Sequence, residues 1–323
     1  MSENKTLEAR YWIHTVTPLH VGAGRGLGYI DLPIAREKVT NWPYIPGSSV
    51  KGVLSDHYKA SGKLSRNPDR DPDDDLPDSK EERKLRKLAF GTTTKEDGGA
   101  EGGNAGALVF TDAHLLCLPV RSFYGTFAWI SSSFCLERFE RDLQKNITIP
   151  NSRKYCAVVA KNSALVSNKE NDATIYLEDL DLEAGEDDKL DDLANEIAKQ
   201  VFANSPKWQE TFKQRFAVVD DDVFTFLCET GTEVTPHIRI DEATGIVVDG
   251  ALWYEETLPV ETILTGQVWC DKVYGAKGSV VPQEELFAHY CCNEKEPLLL
   301  QMGGKASTGK GRVRCIFGPV ESR

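Results

Sequence analysis

Residues 17–37 read TPLHVGAGRGLGYIDLPIARE. Gly22, Gly24, Gly26 and Gly28 fall at alternate positions, so the backbone there is open enough to approach a phosphate chain closely. Arg25 adds a positive charge. The stretch is not a dinucleotide-binding fingerprint, which would need glycine where Leu27 stands and a helix directly after. A plain flexible turn reads equally well from these glycines alone. Asp31 follows the glycines, with His20, Arg36, Glu37 and Lys51 nearby in sequence. A carboxylate in that setting has the chemistry to ligate a divalent metal, or to take a proton from a ribose 2′-hydroxyl. Taken singly, an aspartate before Leu-Pro is more often a turn former, and a lone His20 is more often structural.

On the N-terminal side, YWIHTVT (11–17) is rich in β-branched and aromatic residues and predicts a strand. On the C-terminal side, NWPYIPGSSVKGVLSDHYKA predicts a helix capped by Ser48 or Ser49 and running to about Lys59. Val50, Val53, Leu54 and Tyr58 give it one apolar face. Its free N–H groups, two hydroxyls and Lys51 suit an anion, as they suit an ordinary capped helix. Residues 61–79 are acidic and proline-rich and read as a mobile insertion. EERKLRKLAFG predicts a helix stopping at Gly91, and 95–106 form a second glycine-rich loop. A strand region around Val109–Leu116 and a helix in SSFCLERFERDLQ follow. Residues 168–200 are again acidic, with a helix in LDDLANEIAKQVF. DDDVFTFLCETG is a strand or a short helix. HIRID and GIVVD, joined by EATG, predict a hairpin. Two further strands in GALWYEETLPVETILTGQVWC and a helix in VPQEELFAHYCCN lead to a closing strand–loop–strand. Strands and helices mix without strict βαβ repetition, which points to an α+β fold, one core decorated by insertions.

The closing loop, GGKASTGKGRVR (303–314), nearly matches a nucleotide-binding P-loop. Gly311 stands where a Ser or Thr hydroxyl should hold Mg²⁺, and a strand rather than a helix follows, so a nucleotide triphosphatase is set aside. What remains is open glycine backbone with Lys305, Lys310, Arg312 and Arg314 and no acid, which suits a sugar-phosphate backbone. Three glycine-and-cation elements in separate parts of one chain favour a long polyanion over a small ligand.

The charge balance allows this. The 323 residues carry a net charge of −12, but twelve acids and one lysine lie between Glu170 and Glu196, and eight acids against two cations between Asp69 and Glu82. Those stretches together hold −17, so the remainder nets +5. Nucleic-acid binding depends on local basic surface, not on the total. A hydrophobic fraction of 40% permits a real core, and no apolar run reaches the length of a membrane span. Met1–Arg10 is polar, without a secretory h-region. Eight scattered cysteines, none in a CxxC pair, read as reduced thiols of a cytoplasmic protein.

Taken with IPGSSVKGVL, AFGT, PVRSFYGTFAW, RIDEATGIVVDGALWYEETLP and GGKASTGKGRV, the opening stretch resembles the RAMP superfamily of CRISPR proteins. It looks closest to the repeated backbone subunit of type III-B effector complexes, with the type III-A counterpart as the alternative. The resemblance covers almost the whole chain outside the acidic stretches. It implies a single domain, 1–323: a modified ferredoxin-like (RRM-like) palm with inserted finger regions and a β-hairpin thumb. The finger region would be the acidic and glycine-rich insertion 61–105, and the thumb 232–256; the acidic insertion 168–200 has no counterpart in the family pattern. The family function is guide-RNA (crRNA) binding by stacked copies of the subunit, alongside other subunits of the complex. Target RNA is cut at regular intervals by metal-dependent 2′-hydroxyl attack, with Mg²⁺ or Mn²⁺ as cofactor. The family's catalytic, metal-binding aspartate falls on Asp31 of Gly28-Tyr29-Ile30-Asp31, and its histidine on His20. RNA-binding positions fall on Gly22, Gly24, Arg25, Ser48, Ser49, Lys51, Gly303, Gly304, Lys305, Lys310 and Gly311. His237 and Arg239 would contact the displaced nucleotide. Two other readings stand beside this one: a non-catalytic guide scaffold, and a metal-independent guide-processing RNase using His20.

Overall fold

The computed structural model describes residues 6–24, 26, 28–64, 80–92, 105–143, 147–150, 152–167, 173–270, 282–291 and 296–322. Arg25 therefore lies outside the described residues, as do most of the acidic stretch 69–82 and residues 95–104 of the second glycine-rich loop.

In chain order the elements are β1 (Leu7–Thr15), β2 (Tyr44–Ile45), α1 (Gly47–Leu64), α2 (Lys80–Phe90), β3 (Leu108–Phe110), β4 (Ala113–Arg121), β5 (Phe127–Ser132) and α3 (Ser133–Leu143). Then come β6 (Cys156–Val159), β7 (Thr174–Leu177), β8 (Leu180–Glu186), α4 (Asp188–Val201), α5 (Pro206–Arg215), β9 (Phe216–Val219) and α6 (Asp221–Thr230). The chain closes with β10 (Glu233–Ile240), β11 (Val247–Thr257), β12 (Ile263–Cys270), α7 (Gln283–Tyr290), β13 (Leu298–Gln301) and β14 (Arg312–Ser322).

One mixed sheet runs β13-β14-β1-β12-β4-β5-β9-β6-β8-β7, with β2 added to β4 and β3 to β12. β10 and β11 stand apart as their own two-stranded sheet. Strand alternation divides the core between the two faces of the large sheet. Tyr11 and Ile13 of β1 join a cluster with Val50 and Leu54 of α1, Phe224 of α6 and Phe287 of α7. Trp12, between them, joins Trp129, Phe139 of α3, Ile197 of α4 and Phe212 of α5.

The structure corrects several local expectations. Helix α1 begins at Gly47, whose N–H donates to Oδ1 of Asp112 at 2.8 Å, so the capping acceptor comes from the turn before β4 and not from Ser48 or Ser49. Residues 247–257 form one strand rather than two, passing through Gly250 at φ +70°. DDVFTFLCET is a helix, capped by the Asp220 carboxylate on the N–H groups of Asp222 and Val223. The acidic segment 168–200, read as an insertion, is over its described residues part of the sheet and core. Ile175, Leu177 and Leu182 of β7–β8 are buried, and α4 buries Leu190, Leu193, Ala194, Ile197, Ala198 and Val201 at helical spacing. Truncating one such leucine costs on the order of 2–5 kcal/mol.

One ion cluster ties the 31–42 loop to the sheet. Glu37 accepts from both Nη atoms of Arg138 (2.9 and 2.8 Å), pairs with Nδ1 of His114 (2.5 Å) and accepts from Thr40 (2.7 Å). Burial opposes ionisation of Glu37, but these donors outweigh it and hold its pKa at about 2, below the ordinary 4.5. A depressed carboxylate pKa adds stability above the unfolded value, and that stability is lost as pH falls through the folded one. Glu37→Gln is therefore expected to cost on the order of 2 kcal/mol at pH 7, after allowance for partial solvent screening, with the gap closing as pH falls from about 4.5 towards about 2. Denaturant unfolding at a series of pH values checks this; a gap that stays constant down to pH 2.5 sinks the assignment.

Candidate active site at the hairpin root

The isolated hairpin leaves the body where β10 and β11 begin and end, and three predicted elements meet there. The first is the 17–36 loop. Leu19 and Leu258 exchange backbone hydrogen bonds at 2.9 Å each way, Leu32 N donates to Tyr254 O (3.1 Å), and Glu256 N donates to Leu32 O (3.0 Å). The second is the glycine-lysine loop. Gly304 N donates to His20 O (2.9 Å), Gly311 N to Pro18 O (2.8 Å), and Arg312 N to Thr17 Oγ1 (2.9 Å). The third is the root of β11 itself.

Asp31 is exposed at this junction, and its Oδ2 accepts from the backbone N–H of Tyr254 at 2.8 Å. One carboxylate oxygen is thus spent on fixing the side chain, and Oδ1 makes no hydrogen bond among the described residues. No cluster of three or more His, Cys, Asp or Glu able to hold a metal occurs among the described residues. The residues present fit a hard cation held by one carboxylate, with water and substrate phosphate completing its shell, an arrangement Mg²⁺ commonly takes.

His20 is 7% exposed and donates from Nδ1 to Glu256 O at 2.8 Å. A Cβ on Gly22 would lie 2.9 Å from His20 Nε2, and one on Gly303 (φ +73°) 2.2 Å from His20 O. At Gly22 a side chain would press on the imidazole, and at Gly303 the positive φ and the close backbone carbonyl of residue 20 call for glycine. The ring is packed under the loop, so its position supports the loop rather than presenting a proton to solvent.

The four loop cations are not all free. Lys305 Nζ lies 3.0 Å from Oε2 of Glu255, and Lys310 Nζ 2.9 Å from Oε1. Burial pushes the Glu255 carboxyl up, but the two ammonium groups outweigh it and hold the carboxyl below the ordinary glutamate range. His237 stacks on Trp253 with ring centroids 5.6 Å apart, and its Nε2 sits 3.8 Å from Glu255 Oε2. Arg239 is exposed further along β10, and Gly24 is exposed at φ +97°. Among the described residues, no hydrogen bond or ion pair brings Ser48, Ser49 or Lys51 into this junction. Lys51 donates to Leu108 O (2.8 Å), on β3.

The sequence reading missed Glu255 and Glu256. Being adjacent on a strand, they face opposite ways: Glu255 meets the lysines, and Glu256 meets the Asp31 loop. Two acids inside a β-rich run beside a hairpin root were the available signal.

A sheet-based α+β body carries a detached hairpin, and an exposed, backbone-tethered aspartate sits at its root beside two glycine-rich loops. The chain belongs to the RAMP superfamily, whose profile matches residues 12–314. It is 32% identical over 314 residues to the CRISPR system Cmr endoribonuclease Cmr4 of Pyrococcus furiosus, covering 95% of each chain. Its fold is similar to the crystal structure of oligomeric Cmr4 from Pyrococcus furiosus (TM-score 0.67, 24% identity, 99% of each chain). It is similar also to a chain of the type III-B Cmr-beta complex bound to cognate target RNA (TM-score 0.67, 18% identity, 96% of each chain).

Proposed function

We propose that this chain is a guide-RNA-binding backbone subunit of a cytoplasmic type III CRISPR ribonucleoprotein, and that it cleaves target RNA paired to the guide. Copies of itself and other subunits of the complex would be its protein partners. The observation that carries the reading is Asp31: an exposed carboxylate, held by the Tyr254 N–H, at the root of a detached hairpin. The full-length similarity to a Cmr endoribonuclease supports it.

A ribose 2′-hydroxyl attacks its own adjacent phosphate in line, breaking the P–O5′ bond to leave a 2′,3′-cyclic phosphate and a 5′-hydroxyl that takes up a proton, so the protein must splay the nucleotide, take the 2′ proton and neutralise the phosphorane. The hairpin, with the His237–Trp253 stack, offers the wedge. Asp31 Oδ1, without a hydrogen bond among the described residues, is the acceptor for the proton or for a metal. Mg²⁺ or Mn²⁺ at Asp31 would supply charge neutralisation on the phosphate when bound. Cutting of guide-matched RNA by the reconstituted complex, with and without EDTA, tests this. Regularly spaced cuts that vanish in EDTA and return with Mg²⁺ or Mn²⁺ are expected. Undiminished cutting in EDTA would favour a metal-independent route.

The loop 303–311 would hold the guide backbone. Lys305 and Lys310 share Glu255, so the trio carries one net positive charge rather than two. The triple variant Lys305→Ala/Lys310→Ala/Glu255→Gln leaves no orphaned buried charge. It is expected to weaken binding of all guides alike and to shrink the slope of log affinity against log salt by about 0.7, one phosphate contact. An unchanged slope removes the loop from the RNA path.

A further inference from the structure

We infer that Glu256 is the positioning residue that sets Asp31 for cleavage; the inference rests on the reading of Asp31 given above. Glu256 is 2% exposed, and all its polar groups are used. Its Oε2 accepts from Ile34 N at 3.0 Å. Its Oε1 accepts from Arg36 Nη2 at 2.6 Å and from Thr232 Oγ1 at 2.9 Å. Its carbonyl accepts from His20, and its N–H donates to Leu32 O. The backbone of this residue holds His20 and Leu32, and its side chain ties Ile34 and Arg36, after Asp31, to Thr232, where the hairpin starts.

The grip extends through Arg36. The same guanidinium donates to Cys228 O at the end of α6 (3.1 and 3.0 Å) and to Asn41 O (2.8 Å). Asp31 is itself held by Tyr254 N, two residues before Glu256 on the same strand. The Glu256 side chain thus adds a link between the segment after Asp31 and the base of the wedge, beside the backbone bonds that join them. A displacement of about 1 Å in such a constellation can cost on the order of 10²-fold in rate.

The test uses the reconstituted complex with three versions of this chain, read by thermal unfolding, target affinity and single-turnover cutting at saturating target. Glu256→Gln removes the charge pairing with Arg36 and leaves that cation unpaired; it is expected to lower both melting temperature and cutting rate. Arg36→Met/Glu256→Met leaves no unpaired charge, so the melting temperature should recover. In that double variant the cutting rate should remain at least about 10-fold down, with target affinity within about threefold of wild type. Cutting that recovers along with the melting temperature would overturn the inference, because Glu256 would then serve stability only. If Glu256→Gln does not fold, the double variant alone decides. Asp31→Ala runs alongside. If it cuts normally, the reading of Asp31 and this inference both fall. If it is dead while the double variant cuts at wild-type rate, only the inference falls.

Discussion

Asp31→Ala is expected to abolish cutting of guide-matched RNA while leaving guide affinity within a few-fold. The side chain is exposed and, among the described residues, makes one hydrogen bond, to Tyr254 N, so its loss costs about 1 kcal/mol of local stability. The guide contacts proposed here lie on other residues. Cutting depends on it more heavily, since a positioned base contributes about 10²–10⁴-fold, and loss of a metal ligand adds to that. Electrophoresis of labelled target after incubation with the reconstituted mutant complex gives the answer. Cuts at the same sites and comparable rate would make Asp31 a turn former and this chain a scaffold.

A target carrying a single 2′-deoxyribose immediately before one scissile phosphate should resist at that position and be cut normally at the others. The attacking group in the proposed reaction is that hydroxyl, and no residue at the junction replaces it as nucleophile. Pairing with the guide is scarcely altered by one deoxynucleotide, so binding serves as the internal control. Cutting at the modified position with an unchanged rate would mean that water attacks, and the roles given to Asp31 and the hairpin would need reassignment.

The legibility of this chain followed the range of its interactions. YWIHTVT announced its strand through β-branched and aromatic residues, and VPQEELFAHYCCN its helix, because each pattern is local. The EATG turn was legible for the same reason: Asp241 Oδ1 accepts from Ala243 N and Thr244 N, with Gly245 at φ +67°. The cap of α1 was not, since Asp112 reaches Gly47 from far along the chain. The lysines 305 and 310 looked free in a loop without acids, and only the fold supplies Glu255 from another strand. The acidity of 168–200 masked a buried stripe, because charge dominates composition while Leu190, Leu193 and Ile197 recur beneath it. Asp31 and His20 stood out by their glycine-rich setting; that one hangs from the hairpin and the other sits packed under the loop belongs to the tertiary structure.

The place of β1 in the sheet bears on how the molecule is made. His14 pairs with Ile263 on one side and Arg314 on the other, so β1 lies between two strands that follow it far along the chain. Until β12 and β14 emerge, Tyr11, Trp12 and Ile13 have neither strand partner, and the nascent chain must carry that apolar edge uncovered through most of translation.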